Sequence, residues 1–409
     1  MDPGDFESLL TPAGQRLLAA AVVGYDEPET DALALSTRLR RLADDVPARQ
    51  RAGLVAAALT QAALRRRGVA KFGPLAARLY FTSSGLEQAT HPVVAAHRAA
   101  RLGAVHSGAV LDLGCGIGSD LLSYAAAGFE PTGVERDPLT ARVAGANLAA
   151  CELAGQVRVG RAEDAELGAG RAVFVDPGRR TGDGRVFDPR AYSPPWDFVV
   201  ELLTTVGNSA SPRVAVAKLA PGLDHALIPA TVEAEWVSLD GELKEVALWA
   251  PRPDAAVTRR ATVLAAGRPA QMLTAGPADE ESPPVADVGG VLYEPGPAVI
   301  RAHLVAQVVT AVDGWLLDPN IAYVSSDRAV VTPFARAFRV VERLPYREKA
   351  LRAALRERHI GSLTIKKRGV AVTPEELRRR LALKGTESAT LLLTRTPGSA
   401  VALLVEPIY

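Results

Sequence analysis

The residues of this chain best equipped for chemistry lie in VLDLGCGIGSDLLSYAAAGFEPTGVERDP, from Val110 to Pro138. Gly114, Gly116 and Gly118 alternate, which lets a backbone turn tightly between a strand and a helix so that main-chain amides approach a ligand. A dinucleotide loop needs its last glycine three positions after the second, and that position is Ser119. Asp112, two residues before the turn, is badly placed beside a pyrophosphate but suits an ammonium group. Glu135 follows Gly118 by 17 residues at the end of the next expected strand, where a carboxylate can accept from both hydroxyls of a ribose. Arg136 comes next. In GRAED, Asp164, preceded by Glu163, is available to an exocyclic amine such as that of adenine. Cys115, inside the turn, reads as a small buried filler rather than a nucleophile. The set asks for a nucleoside joined to an amino acid, without phosphate. S-Adenosylmethionine meets that description and adds a positive sulfonium.

Such residues are useful only if strands and helices carry them to one place. From Ala109 the pattern alternates: AVLDLG, EPTGVE, QVRVGRAED and RAVFVDPG read as strands, with helices at GSDLLSYAAAG and PLTARVAGANLAAC. RVAVAKLAP, EAEWVSLDG and ELKEVALWAP add further strands, so the expected fold is α/β, a Rossmann-like doubly wound sheet. Residues 1–104 place apolar side chains at helical spacing and are expected to form an N-terminal helical domain. Residues 105–264 are expected to be the cofactor-binding domain. Residues 265–290, rich in Pro and Gly, read as a linker, and residues 291–409 as a C-terminal α+β module with helices at AVIRAHLVAQVVTAV and REKALRAALRERH.

At 409 residues the chain needs more than one core, and 48% hydrophobic with 23% charged residues describes a globular protein. Its two cysteines make neither a disulfide framework nor a zinc pattern, the six histidines have no ligand spacing, and no metal is expected. No apolar run reaches about 18 residues, and the acidic start is unlike a signal peptide, so a cytoplasmic location without membrane contact is expected. Arginine outnumbers lysine 40 to 7 within a net charge of +1. Between Phe334 and Lys384, however, fifteen Lys and Arg face five Glu, an asymmetry that points to a polyanion.

DLGCGIGSD, GVERD and RAED together resemble the class I S-adenosylmethionine-dependent methyltransferases. LEQATHPVVAAHRA, VDPGRR, AKLAPGLD and KKRGVAVTPEELRRRLALKG extend the resemblance to the bacterial members with a C-terminal THUMP-like domain. The resemblance implies S-adenosylmethionine as cofactor. It also implies RNA as the acceptor, because THUMP domains occur in RNA-modifying enzymes.

In that fold the acceptor sits beyond the fourth strand, which places Asp176 beside the methyl donor and Pro177 and Arg179 at the catalytic end. Enzymes that methylate exocyclic amines often follow Asn or Asp with Pro-Pro and an aromatic residue. Gly178 and Arg179 stand here instead, which argues against that acceptor. Asp176 reads as an acceptor or base for the nucleophile, with a turn cap as the plain alternative. Arg179 and Arg180 could clamp phosphate, and Lys218 could approach from the fifth strand. Tyr192 and Trp196 could stack on a base or simply pack in the core. Gln88 and Thr90 could cover the methionine end of the cofactor. Lys366, Lys367 and Arg368 are expected to meet RNA phosphate, although in a strand Lys367 would point away from its neighbours. Other readings are a small-molecule or protein acceptor, and an RNA-binding protein that keeps the cofactor site but not catalysis.

Overall fold

The computed structural model describes residues 2–27, 31–179, 192–207, 212–277 and 282–408. Contacts divide the chain into two compact units. The first comprises Met1–Leu219, Leu223–Val232 and Ala247–Pro253, and the second Ala220–Gly222, Glu233–Val246 and Asp254–Tyr409.

The first unit opens with helices α1 (Pro3–Leu9), α2 (Pro12–Asp26), α3 (Ala32–Leu42), α4 (Ala48–Phe72), α5 (Ser83–Gln88) and α6 (Pro92–Gly103). Local chemistry starts several of them. Asp2, Thr11, Asp31 and Thr82 each accept a first-turn amide, and proline fills a first-turn position of α1, α2 and α6. The sheet elements follow as β1 (Ala109–Leu113), α7 (Ser119–Ala126), β2 (Glu130–Glu135), α8 (Pro138–Ala150), β3 (Gln156–Val159), β4 (Ala172–Val175), β5 (Gly178–Arg179), β6 (Tyr192–Ser193), α9 (Trp196–Thr205) and β7 (Val214–Leu219). The order is β3-β2-β1-β4-β7, with every pair parallel. Chain direction across the sheet reverses between β1 and β4, so their carboxyl ends form the crevice where ligands bind in such sheets.

The helical layer has no core of its own. Phe6, Leu17 and Leu54 pack in one cluster with Leu121 of α7 and Val143 of α8, and each such buried side chain contributes about 1.5–3 kcal/mol. Asn147 of α8, 1% exposed, ties this layer to the glycine turn. Its amide donates to Tyr80 O at 3.0 Å and Ile117 O at 2.9 Å and accepts from Tyr80 N at 2.7 Å.

In the second unit β8 (Glu233–Leu239) turns into β9 (Glu242–Ala250), whose last residues return to the first unit beside β7. Asp240 and Gly241 hold φ of 50° and 82°, the two-residue turn that matches strand twist. β10 (Arg259–Leu264) runs parallel to β8. Within 265–290, read above as a linker, β11 (Gln271–Ala275) pairs antiparallel with β10.

The remainder is built from β12 (Val291–Pro295), α10 (Pro297–Arg301), α11 (Val305–Ala311), β13 (Trp315–Asp318), β14 (Ile321–Ser326), β15 (Ala335–Leu344), α12 (Glu348–Glu357), β16 (Ile360–Lys367), α13 (Pro374–Leu381), β17 (Glu387–Thr396) and β18 (Ser399–Ile408). Its sheet has the order β13-β14-β12-β15-β18-β17-β16. Leu391 and Leu393 pack with α12 and α13, and Leu392 packs on the other face with Tyr323 and Phe338, the two-residue alternation of a strand buried on both sides. The single helix expected over AVIRAHLVAQVVTAV is two, because His303 takes a φ of 56°, which ends α10.

Candidate active site

β1 delivers Asp112 and the glycine turn to the carboxyl edge of the first sheet. Gly114 N and Cys115 N donate to Val134 O on β2 at 2.8 and 3.2 Å, which pins the turn to the neighbouring strand. Gly116 holds a φ of 55°, and a Cβ there would meet nothing within 4 Å. The turn therefore presents bare backbone to open space, the cradle that a side chain would fill. Gly114, at φ 82°, lies under Asp176 O, which a Cβ would approach to 3.3 Å. Gly118 stands at the N-cap of α7. Cys115 is buried with its sulfur so near Gly133 that a Cβ on that glycine would come within 2.7 Å, and burial pushes its thiol well up.

Glu135 braces the turn: its carboxylate accepts from Gly116 N at 3.1 Å and from Asp137 N at 3.0 Å. Each oxygen keeps a lone pair for a ribose hydroxyl. Arg136 is exposed and donates to Ser193 Oγ at 3.4 Å. Glu163 meets Arg161 at 3.1 Å, and Asp164 is exposed beside it.

Five ionisable side chains converge below this cradle. Asp112 is fully buried, and neither of its oxygens has a hydrogen-bond partner among the described residues. Burial, then the charges of Asp120 and Asp176, hold its carboxyl well above the usual range, while Arg98 and Lys218 pull the other way. Arg98, on α6 and 2% exposed, pairs with Asp120 and lies over the Phe174 ring at 4.7 Å. Thr90 Oγ1 donates to Asp120 Oδ2 at 2.6 Å, and Ser119 Oγ donates to Thr90 O at 2.7 Å. Lys218, ending β7, donates to Thr90 Oγ1 at 3.1 Å and forms an ion pair with Asp176 at the end of β4. Arg98 answers Asp120 and Lys218 answers Asp176, which leaves Asp112 as the carboxyl that a bound cation would help to ionise. Such a site has room for one net positive charge. S-Adenosylmethionine brings two positive groups and one negative, so the orphaned Asp112, the open cradle at Gly116 and the charge count all fit it.

The other candidates fall around this cluster or outside it. Asp176 N donates to Leu113 O at 3.3 Å, and Pro177 is buried. Gly178 and Arg179 pair by backbone with Ser193 and Tyr192, and Arg180 lies outside the described residues. Tyr192 is buried at 4% exposure and Trp196 is half-buried at the start of α9, positions of packing side chains. Gln88 is exposed at the end of α5, and the Thr90 hydroxyl is engaged by Asp120 and Lys218.

In the second unit, Lys366 pairs with Glu294 at 2.6 Å with its ammonium 5.5 Å from the Phe338 ring, and the Arg368 guanidinium lies 5.4 Å from the Tyr323 ring. Burial and the charge of Glu294 push the Tyr323 hydroxyl up to about 12. Lys367, between them, is exposed. Among the described residues no His, Cys, Asp and Glu group is arranged to hold a metal, and no helix is long and apolar enough to cross a membrane.

Sequence reasoning did not single out Arg98, Asp120 or Asn147. Arg98 had a readable signal: it stands in the apolar stripe Val94, Ala95, Ala99 and Leu102 of α6, where an unpaired charge could not be buried.

Comparisons with known proteins follow the same lines. A family model described as THUMP domain-like matches residues 335–407, and a domain of unknown function matches residues 2–68. An uncharacterized S-adenosylmethionine-dependent methyltransferase of Mycobacterium tuberculosis is 33% identical over 343 residues, covering 81% of this chain and 90% of its own length. The same values hold for strains CDC 1551 and H37Rv. A crystal structure of a candidate methyltransferase from Porphyromonas gingivalis W83 superposes with a TM-score of 0.72 at 22% identity, over 97% of this chain and 99% of that one.

Proposed function

Because the chain belongs to the S-adenosylmethionine-dependent methyltransferases, we propose that it methylates RNA held by its C-terminal module. The observation that carries this reading is the THUMP domain-like match over residues 335–407, within a segment whose cations are partly unspent. Lys367, Arg379 and Lys384 are exposed and make no ion pair among the described residues. Exposed cations of this kind meet phosphate, and counterion release makes such binding strong and salt-dependent. Arg352, Arg358, Lys366, Arg380 and Arg395 are paired with carboxylates and serve the fold first.

S-Adenosylmethionine supplies an electrophilic methyl group when bound. The chain's own residues do the rest. Asp112 meets the cationic amino acid end, Glu135 holds the ribose hydroxyls, and Glu163 and Asp164 stand where the adenine amine can be read. Asp176, aimed by Lys218, accepts the hydrogen of the attacking group and so places that group in line with the methyl carbon.

The test is mass spectrometry of nucleosides from cells with and without the protein. A methylated nucleoside that disappears with the protein, and returns when the full chain is added to the purified RNA with S-adenosylmethionine, is the expected result. An unchanged nucleoside profile, together with no transfer to that RNA, would count against RNA as the acceptor.

A further inference from the structure

We infer that the acceptor atom is a hydroxyl oxygen, the ribose 2′-hydroxyl of RNA, and that Lys218 is the catalytic cation that meets it beside Asp176. The sugar rests on the RNA reading above, and the oxygen rests on the cation. Lys218 ends β7 beside the end of β4, its ammonium on Asp176 and 3.1 Å from Thr90 Oγ1. The two side chains are 15% and 30% exposed, so the pair is shielded yet reachable. Thr90 is pinned by Asp120 and Ser119, and Asp120 by buried Arg98. The ammonium is therefore fixed before an acceptor arrives, and a fixed charge stabilises charge that develops in a transition state without reorganisation.

The sign of that charge favours a nucleophile that loses its proton over a neutral amine. An amine becomes cationic as it takes a methyl group, and a fixed ammonium beside it opposes the transfer. A hydroxyl becomes anionic as its proton leaves, and the same ammonium favours it. A pyrimidine carbon is commonly activated by covalent attack of a thiolate, and both cysteines of the chain are placed elsewhere. Cys115 is buried against Gly133, and Cys151 caps the far end of α8, which runs back from the site. In the transfer the acceptor oxygen bonds the methyl carbon as the carbon–sulfur bond breaks, and the bonding pair stays on sulfur, leaving a neutral thioether. The hydroxyl proton passes to the Asp176 carboxylate and on to water, and Lys218 remains an ammonium.

The full chain would be incubated with S-adenosylmethionine carrying a deuterated methyl group and the RNA, protein and small-molecule fractions of cells that lack it. Fragmentation then assigns the labelled atom. Label on a ribose oxygen of RNA is expected. Label on a base nitrogen or carbon overturns the oxygen assignment and leaves the RNA reading standing, whereas label on a hydroxyl outside RNA removes the RNA reading and keeps the oxygen. Label on nitrogen or carbon outside RNA, or in no fraction, overturns both. Lys218→Met should lower the single-turnover rate about 10²–10³-fold, Lys218→Arg should restore part of it, and calorimetry should show S-adenosylhomocysteine affinity changed far less than the rate in both. With S-adenosylhomocysteine bound and no turnover, a pool of transfer and ribosomal RNA transcripts should bind severalfold tighter than its 2′-fluoro counterpart. Lys218→Met should close that gap, and a gap of the same size in the variant would overturn the contact.

Discussion

Arg98–Asp120 in the first unit and Arg352–Glu348 in the second are both arginine–carboxylate pairs, yet their surroundings give them different consequences. The first pair is 2% and 8% exposed at the side chains, and the second 35% and 36%. In the buried site the alternation of Arg98, Asp120, Thr90, Lys218 and Asp176 fixes each group through the next, while Asp112 is left without a hydrogen-bond partner among the described residues. On the C-terminal surface water and salt screen the charges, including those of Glu348 and the two arginines that share it, Arg352 and Arg380. Chemistry needs the first kind of region, whereas holding a polyanion in many registers needs the second.

The largest effect that would sharpen this contrast is on turnover. Asp176→Ala should lower single-turnover methyl transfer about 10²–10⁴-fold while calorimetry finds S-adenosylhomocysteine affinity nearly intact. Equal losses in both would make Asp176 a structural residue. Next comes stability: Arg98→Met leaves Asp120 buried without its partner and should cost about 3–5 kcal/mol, whereas Arg352→Met should cost about 0–1 kcal/mol. Urea unfolding of the two variants compares them directly, and equal midpoints would erase the distinction between the regions. Glu135→Ala should weaken S-adenosylmethionine binding by about 1.5–3 kcal/mol, because both the ribose contact and the brace on Gly116 are lost.

Asp112 supplies a test with a sign. Its folded-state carboxyl is raised above the unfolded value, so its protonation stabilises the fold at low pH, and that contribution is lost as pH rises through the raised value. Without cofactor, Asp112→Asn should therefore be more stable than the native chain at neutral pH, with the gap closing in acid, and should bind S-adenosylmethionine less well. Thermal unfolding across pH checks the first half, and a gap that widens in acid would refute it. The smallest effect is on the surface: Lys367→Ala should lower the log–log salt slope of RNA binding by about 0.7 for single strands. Lys366→Ala, whose ammonium is held by Glu294, should change the slope less. Equal changes measured by anisotropy would mean that the ion pair opens to receive phosphate.

By itself the sequence determined what depends on near neighbours. The alternation of strand and helix from Ala109, the positive-φ glycines after Asp112 and the placement of Glu135 at the end of the following strand were legible because backbone torsions and the two periodicities are set within a few residues. Asp176 at the end of β4 was legible for the same reason. The single helix expected around His303 was misread because one left-handed residue interrupts an otherwise helical pattern. What only the tertiary structure decided is which charge answers which. Lys218 reaches Asp176 across 42 residues of sequence, and Lys366 reaches Glu294 across 72. The first partnership follows from strand order, β7 lying beside β4 in one sheet, whereas Lys366 of β16 meets Glu294 of β12 although β15, β18 and β17 stand between those strands in the order of the other sheet. Strand order is set by burying both faces of each sheet, a global property that no local spacing of charges contains.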